Sequence, residues 1–258
     1  MARHRYGPEP DQRGSLRLPP GRAAARLPVA VLLHGGSWSA RYGAIVVAPL
    51  AGDLVRRGWA TWNLEYRRVG GSSGGGWPQT GADVLAGIDH LAALDAPLDL
   101  ERVVVIGHSA GGQLALYAGA ERAAAGAVRV QAVVAQAAPS DLERSARNGA
   151  PTIVRFLGGL PDDVPERYRE ASPIARAPLG IPQLLMHGED DRVVGIGTSA
   201  RYAERARAAG DAVTFVAIPG AGHLAHLNPW GDAWEPVPRW LEPWGPGAGS
   251  TPLGIGSS

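Results

Sequence analysis

The chain is predicted to be an α/β protein: a doubly wound, mostly parallel sheet with helices on both faces and a short lid-like excursion. Three observations predict it. Short apolar runs recur at 29–33, 59–64, 103–106, 130–136, 183–186 and 213–218, each continuous or nearly so rather than alternating, as strands covered on both faces should read. Helix-length segments fall between them, and that alternation specifies a layered α/β sheet. The chain is also long enough for a sizeable core, with 258 residues, 45% hydrophobic and 19% charged.

The elements follow in order. Residues 15–18 read as a short N-terminal edge strand. The run 29–33 leads into His-Gly-Gly-Ser-Trp. A helix over 44–57 stops at Gly58, a C-terminal cap. The 70–78 stretch is a flexible Gly/Ser loop; it lacks the Gly-Lys-Ser/Thr ending of a phosphate loop. In 80–94, Val84, Ile88 and Leu91 share one helical face. After 103–106 comes an Ala-rich helix over 113–125. The 139–178 excursion carries two helical pieces, 141–148 and 164–171. A helix over 198–209 starts at a hydroxyl and stops at Gly210. One domain is therefore expected over 1–245, followed by a Gly/Pro/Ser-rich disordered tail over 246–258.

Composition narrows the function classes. Formal net charge is +1, and all 25 basic residues are arginines scattered along the chain, which gives no nucleic-acid or membrane footprint. Cysteine is absent, which removes disulfides and thiolate nucleophiles. No signal-peptide core and no membrane-length apolar run stands out, so a cytoplasmic protein is the expectation. The oligomeric state is left open, a homodimer included.

The stretch Val-Val-Val-Ile-Gly-His-Ser-Ala-Gly-Gly carries the chemistry. A strand that turns directly into a helix holds one side chain, Ser109, at the apex. The neighbours two positions away must be small, and Gly107 and Gly111 are. The helix that follows aims its N-terminal amides at the serine. A serine hydroxyl needs a base and an orienting acid to be a nucleophile. In this kind of fold they come later, in the order acid then histidine, each after a strand. The run 183–186 ends in an acidic turn, Glu189, Asp190 and Asp191, of which Asp191 is preferred. The last strand ends in a Gly-rich loop bearing His223. Backbone donors for an oxyanion come from Ala110, after the serine, and from the loop after the early strand, His34 to Trp38.

The successive motifs "HGGSW", "EYR", "GHSAGG", "HGEDDRVV" and "GAGH" resemble those of the α/β-hydrolase superfamily over residues 15–241. The nearest likeness is to small bacterial esterase/lipase-like members, close to kynurenine-formamidase-like and prolyl-oligopeptidase-like ones. The resemblance implies a serine hydrolase with Ser109, Asp191 and His223 as catalytic residues. It selects Asp191, four residues after His187, and puts the second oxyanion donor at Gly36 or Ser37. It implies a small ester or amide substrate, no cofactor and no metal. Arylformamidase, exopeptidase and catalytically silent binding protein remain as alternatives. Two departures, Gly195 in place of a frequent proline and the stretch His-Leu-Ala-His-Leu-Asn-Pro, bear on substrate rather than mechanism.

Other residues have lesser expectations. Trp38 and Trp77 are candidate pocket walls, with loop packing as the competing role. His34 should order the oxyanion loop, and His108 and His187 should pack near the site. His226 has no cluster around it to hold a metal. Glu65 and Arg67 are expected to pair behind the oxyanion loop. Trp230, Trp234, Trp240 and Trp244 are expected to pack the last helix.

Overall fold

A computed structural model describes residues 1–21, 26–70, 72 and 74–248. One eight-stranded sheet has the order β1-β2-β4-β3-β5-β6-β7-β8. The strands are β1 (Ala2–Arg5), β2 (Arg13–Arg17), β3 (Leu27–Leu33), β4 (Ala60–Leu64), β5 (Leu98–His108), β6 (Val130–Gln136), β7 (Gln183–Gly188) and β8 (Val213–Ile218). β1 and β2 pair antiparallel, as do β2 and β4; the remaining pairs are parallel. Every residue of β3 and β4 is buried, as a strand covered on both faces requires.

The expected edge strand at 15–18 is an interior one. β2 lies between β4 and β1, and β1 forms the edge. β1 reads Ala-Arg-His-Arg and is almost wholly exposed, so no apolar alternation marks it in the sequence. Charged side chains on such an edge also discourage pairing with another chain.

Alternate residues of one strand feed two cores. Val29, Val31 and Leu33 face one side, and Ala30 and Leu32 the other. Helices α2 (Gln79–Asp89), α3 (Ala110–Arg122) and α8 (Gly197–Ala208) cover the first face through residues such as Val84, Leu114 and Tyr202. Helix α1 (Ala48–Arg56) and α9 (Pro236–Trp240) cover the second through Leu50, Leu54 and Val237. Burying a leucine of this kind contributes about 1.5–3 kcal/mol. Among the described residues no helix is long and apolar enough to cross a membrane.

The excursion holds four short helices rather than two: α4 (Leu142–Arg147), α5 (Pro151–Leu157), α6 (Pro165–Ala171) and α7 (Pro173–Arg176). Proline at the first turn of three of them fixes their starts. The last tryptophans behave unequally. Trp234 is fully buried and donates to Asp53, whereas Trp230 is 81% exposed. Of the expected disordered tail, residues 249–258 lie outside the described residues, as do 71 and 73 of the Gly/Ser loop.

Candidate active site

Register brings the site together. Leu33 of β3 pairs with Gly107 of β5, so the loop 34–38 and the Ser109 turn leave neighbouring strands at the same level. Gly188 of β7 pairs with Ile218 of β8, and the turns carrying Asp191 and His223 leave side by side. All four turns lie at the carboxyl ends of parallel strands, where open α/β sheets bind ligands.

Ser109 sits at φ 55°, ψ −122°, a backbone conformation an L-residue adopts only under constraint. The constraint is steric closeness. A Cβ on Gly107 would stand 2.0 Å from the Gly111 carbonyl oxygen, and one on Gly111 2.1 Å from that of Leu33. Glycine at both positions lets α3 start immediately, at Ala110 rather than at 113. As the first residue of α3, Ala110 carries an amide that no intrahelical carbonyl can accept.

His223 must reach from β8 to β5, three strand spacings or about 14 Å. Its loop crosses over β7, and Gly188 permits the crossing. A Cβ there would stand 2.1 Å from the Ala221 carbonyl oxygen. The Asp190 amide donates to that same oxygen at 3.0 Å. His223 Nε2 then lies 2.9 Å from Ser109 Oγ and its Nδ1 2.7 Å from Asp191 Oδ2. With the proton on Nδ1, the ring donates to Asp191 and accepts from the serine hydroxyl. Asp191 Oδ1 accepts from the Val193 and Val194 amides at 2.8 and 2.9 Å. Burial acts to raise its carboxyl, but the bonds from His223, Val194 and Val193 outweigh that and hold it below the ordinary value.

Three other histidines surround this ring. His108 Nε2 donates to the His223 carbonyl at 2.8 Å, with ring centroids 4.8 Å apart. His187 donates from Nε2 to the Val194 carbonyl at 2.7 Å and accepts from Ser199 at 2.8 Å. Burial depresses His108 to about 3 and His226 to about 4, and pushes His187 below its usual value. All three are neutral near pH 7. No like charge among them opposes a proton arriving on His223.

The loop from His34 to Trp38 is braced from behind. Glu65 accepts from His34 Nε2 at 2.8 Å and from the Ala44 amide at 3.1 Å. Tyr66 stacks on the His34 ring and donates to its carbonyl at 2.6 Å. Gly36 has φ 115° and Ser37 φ 53°, so the chain doubles back as it faces Ser109. The expected Glu65–Arg67 pair does not form. Arg67 binds Asp83 of α2 at 2.8 Å, and Glu65 binds Arg68 instead; both arginines lie in the segment that follows β4, and its course turns them to different partners.

A cavity of about 420 Å³ opens over Ser109, bounded by Ser37, Trp38 and Ala110 on the sheet side. Trp38 contributes an edge only. It is 2% exposed, stacks on Phe156 of the excursion and donates to Gln113 of α3 at 3.0 Å. Gln113 in turn donates to the Ala171 carbonyl at 2.8 Å. Trp77 does not line this cavity: it is buried, packs edge-on to Tyr117 and Phe156, and donates to Glu170. Both tryptophans thus pin the excursion to the sheet. No group of three or more metal-ligating side chains gathers among the described residues.

The structure brings Ser109, Asp191, His223, Gly36, Ser37, Ala110 and Trp38 to one place. Gly188 and Gln113 escaped the sequence reading. The first lies in the quoted "HGEDD" segment but has no side chain to notice. The second needs knowledge of which loop packs on α3.

A model of the BD-FAE family matches residues 16–205. Esterase LipC of Mycobacterium tuberculosis is 29% identical over 236 residues, 84% of this chain and 58% of that protein; the chain spans little more than half of its length. A truncated carbohydrate esterase from gut microbiota superposes with a TM-score of 0.82 at 21% identity, over 95% of each chain. Propionate-bound esterase 2 of Thermogutta terrifontis superposes at 0.69 and 22% identity, over 86% of this chain and 84% of that one. At these identities the structural likeness is one of fold.

Proposed function

The chain belongs to the BD-FAE family, and from that premise we propose that it is a serine esterase cleaving carboxylic esters of small to medium size. The observation that carries the reading is the hydrogen-bonded series from Ser109 through His223 to Asp191, at 2.9 and 2.7 Å. In it Ser109 Oγ attacks the ester carbonyl carbon and its proton passes to His223 Nε2. Asp191 keeps the ring in the tautomer that can accept, and stabilises the imidazolium. The amides of Ala110 and of Gly36 or Ser37 hold the developing oxyanion. Collapse breaks the bond to the alcohol oxygen, which takes the proton from His223. Water then attacks the acyl enzyme, giving its proton to His223 and regenerating Ser109. The 420 Å³ cavity suits a modest acyl group and alcohol. The short-chain acid named with the Thermogutta esterase and the esterase name of the mycobacterial relative are in keeping with this.

The test is hydrolysis of 4-nitrophenyl butyrate together with labelling by a fluorophosphonate probe. Ser109→Ala should abolish labelling and lower kcat by about 10⁶, the cost of losing the serine in a comparable triad. A protein that neither labels nor hydrolyses acyl esters, or whose Ser109→Ala variant does both, overturns the reading.

A further inference from the structure

The cavity wall opposite the catalytic serine carries two arginines and no carboxylate. Arg144 of α4 and Arg201 of α8 both line it, beside Asn148 and Thr152. Neither guanidinium has an ion-pair or hydrogen-bond partner among the described residues, and Arg201 Nε is buried without one. The contrast with a near neighbour is direct. Arg147, one turn along the same helix, binds Glu143 and Asp162. Arg201 lies over Gly197, where a Cβ would stand 3.2 Å from its Nη1. Gly197 and Thr198 begin α8 and also line the cavity, so the positive end of a twelve-residue helix adds to the same field.

A buried guanidinium nitrogen without an acceptor is costly, and that cost is recovered when a ligand supplies one. The planar fork of arginine matches a carboxylate through paired hydrogen bonds. We propose that this wall is an anion subsite and that the ester taken by Ser109 carries a carboxylate on its acyl or its alcohol part. The inference rests on the esterase reading above. It adds a substrate class to it.

Two matched pairs of esters test it. On the acyl side, 4-nitrophenyl hemiadipate is compared with 4-nitrophenyl 6-methylheptanoate, in which a branched alkyl end replaces the carboxylate. On the alcohol side, 4-acetoxybenzoate is compared with 4-acetoxybenzamide. In at least one pair kcat/KM should favour the anion by about tenfold or more, the usual worth of a charge-assisted contact. That ratio should fall about tenfold in Arg201→Gln, and also in Arg144→Gln, and it should shrink as salt is raised. A ratio at or below one in both pairs overturns the subsite while leaving the esterase intact. So does a ratio that survives in the double variant. If no ester is hydrolysed, the esterase reading fails, and calorimetric titration of Ser109→Ala with adipate decides the subsite separately. Salt-sensitive binding that disappears when both arginines are replaced supports it; absence of binding overturns it.

Discussion

The two walls of the cavity are built by opposite rules. On the sheet side, the groups that would do chemistry are partnered before any substrate arrives. Asp191 accepts from His223, Val193 and Val194, and His34 is fixed by Glu65 and Tyr66. Backbones approach so closely that only glycine fits. On the facing side, made by the excursion and the start of α8, Arg201 keeps a buried Nε without an acceptor, and the exposed Arg144 has no partner for its guanidinium among the described residues. The difference separates two demands. Stabilising a transition state calls for groups already oriented, because reorganisation at the moment of reaction costs rate. Recognising a substrate calls for groups whose partner is the substrate.

After loss of the serine itself, the largest expected effect also strikes the partnered wall. Asp191→Asn removes the charge and offers His223 the wrong partner for its Nδ1 proton, so kcat should drop by about 10⁴. Steady-state kinetics checks this; a loss under tenfold would mean that another acid, Asp190 or Glu189, orients the ring.

The second prediction sets one substitution on both walls. Gly111→Ala forces β3 and α3 apart against a 2.1 Å contact. It should destabilise by about 3 kcal/mol, at the upper end for overpacking. Gly195→Ala, on the recognition wall, meets nothing within 4 Å and should change stability by less than about 0.5 kcal/mol. Denaturant unfolding of the pair measures the contrast directly. Equal stabilities would break it.

Acid should loosen the partnered wall. His108 and His226 each have a buried ring nitrogen without a partner, which only the neutral ring tolerates. In the unfolded chain these rings take up protons below about pH 6.5. In the folded protein they do so only near 3 and 4. Between those limits the unfolded state binds more protons, so their contribution is complete above about pH 7 and declines as pH falls. The expected slope is about 1.4 kcal/mol per pH unit for each ring. Urea midpoints measured from pH 7.5 down to 5 should show it, and His108→Asn should flatten it; a stability that rises on acidification contradicts it. The tenfold ratio change in the arginine variants is the smallest expected change in activity, and it reports on the facing wall.

Much of the partnered wall was legible in advance because its requirements are local. A serine between glycines after an apolar strand reports its own turn, and "HGEDDRVV" and "GAGH" report theirs by following later strands. Spacing of this kind carries over into three dimensions because parallel strands in register end at one level. β1 was invisible because an exposed edge strand has no apolar period. The Glu65–Arg67 pair does not form because Arg67 reaches Asp83 of α2, a helix whose position next to the end of β4 no spacing in the sequence reveals. For Trp77 it is the packing role that holds rather than the pocket wall, because an aromatic beside a glycine loop reads alike in the two cases.

The sequence by itself determined the parallel sheet, the serine turn and the order of acid and histidine, since each is fixed by short-range periodicity and steric need. Tertiary structure alone decided that Gly188 lets the His223 loop cross β7, and that Gln113 ties α3 to the excursion. It alone brought Arg144 and Arg201, 57 positions apart in the chain, to the same cavity. Those facts depend on which surfaces meet when helices pack on a twisted sheet, and no local pattern of residues encodes that meeting.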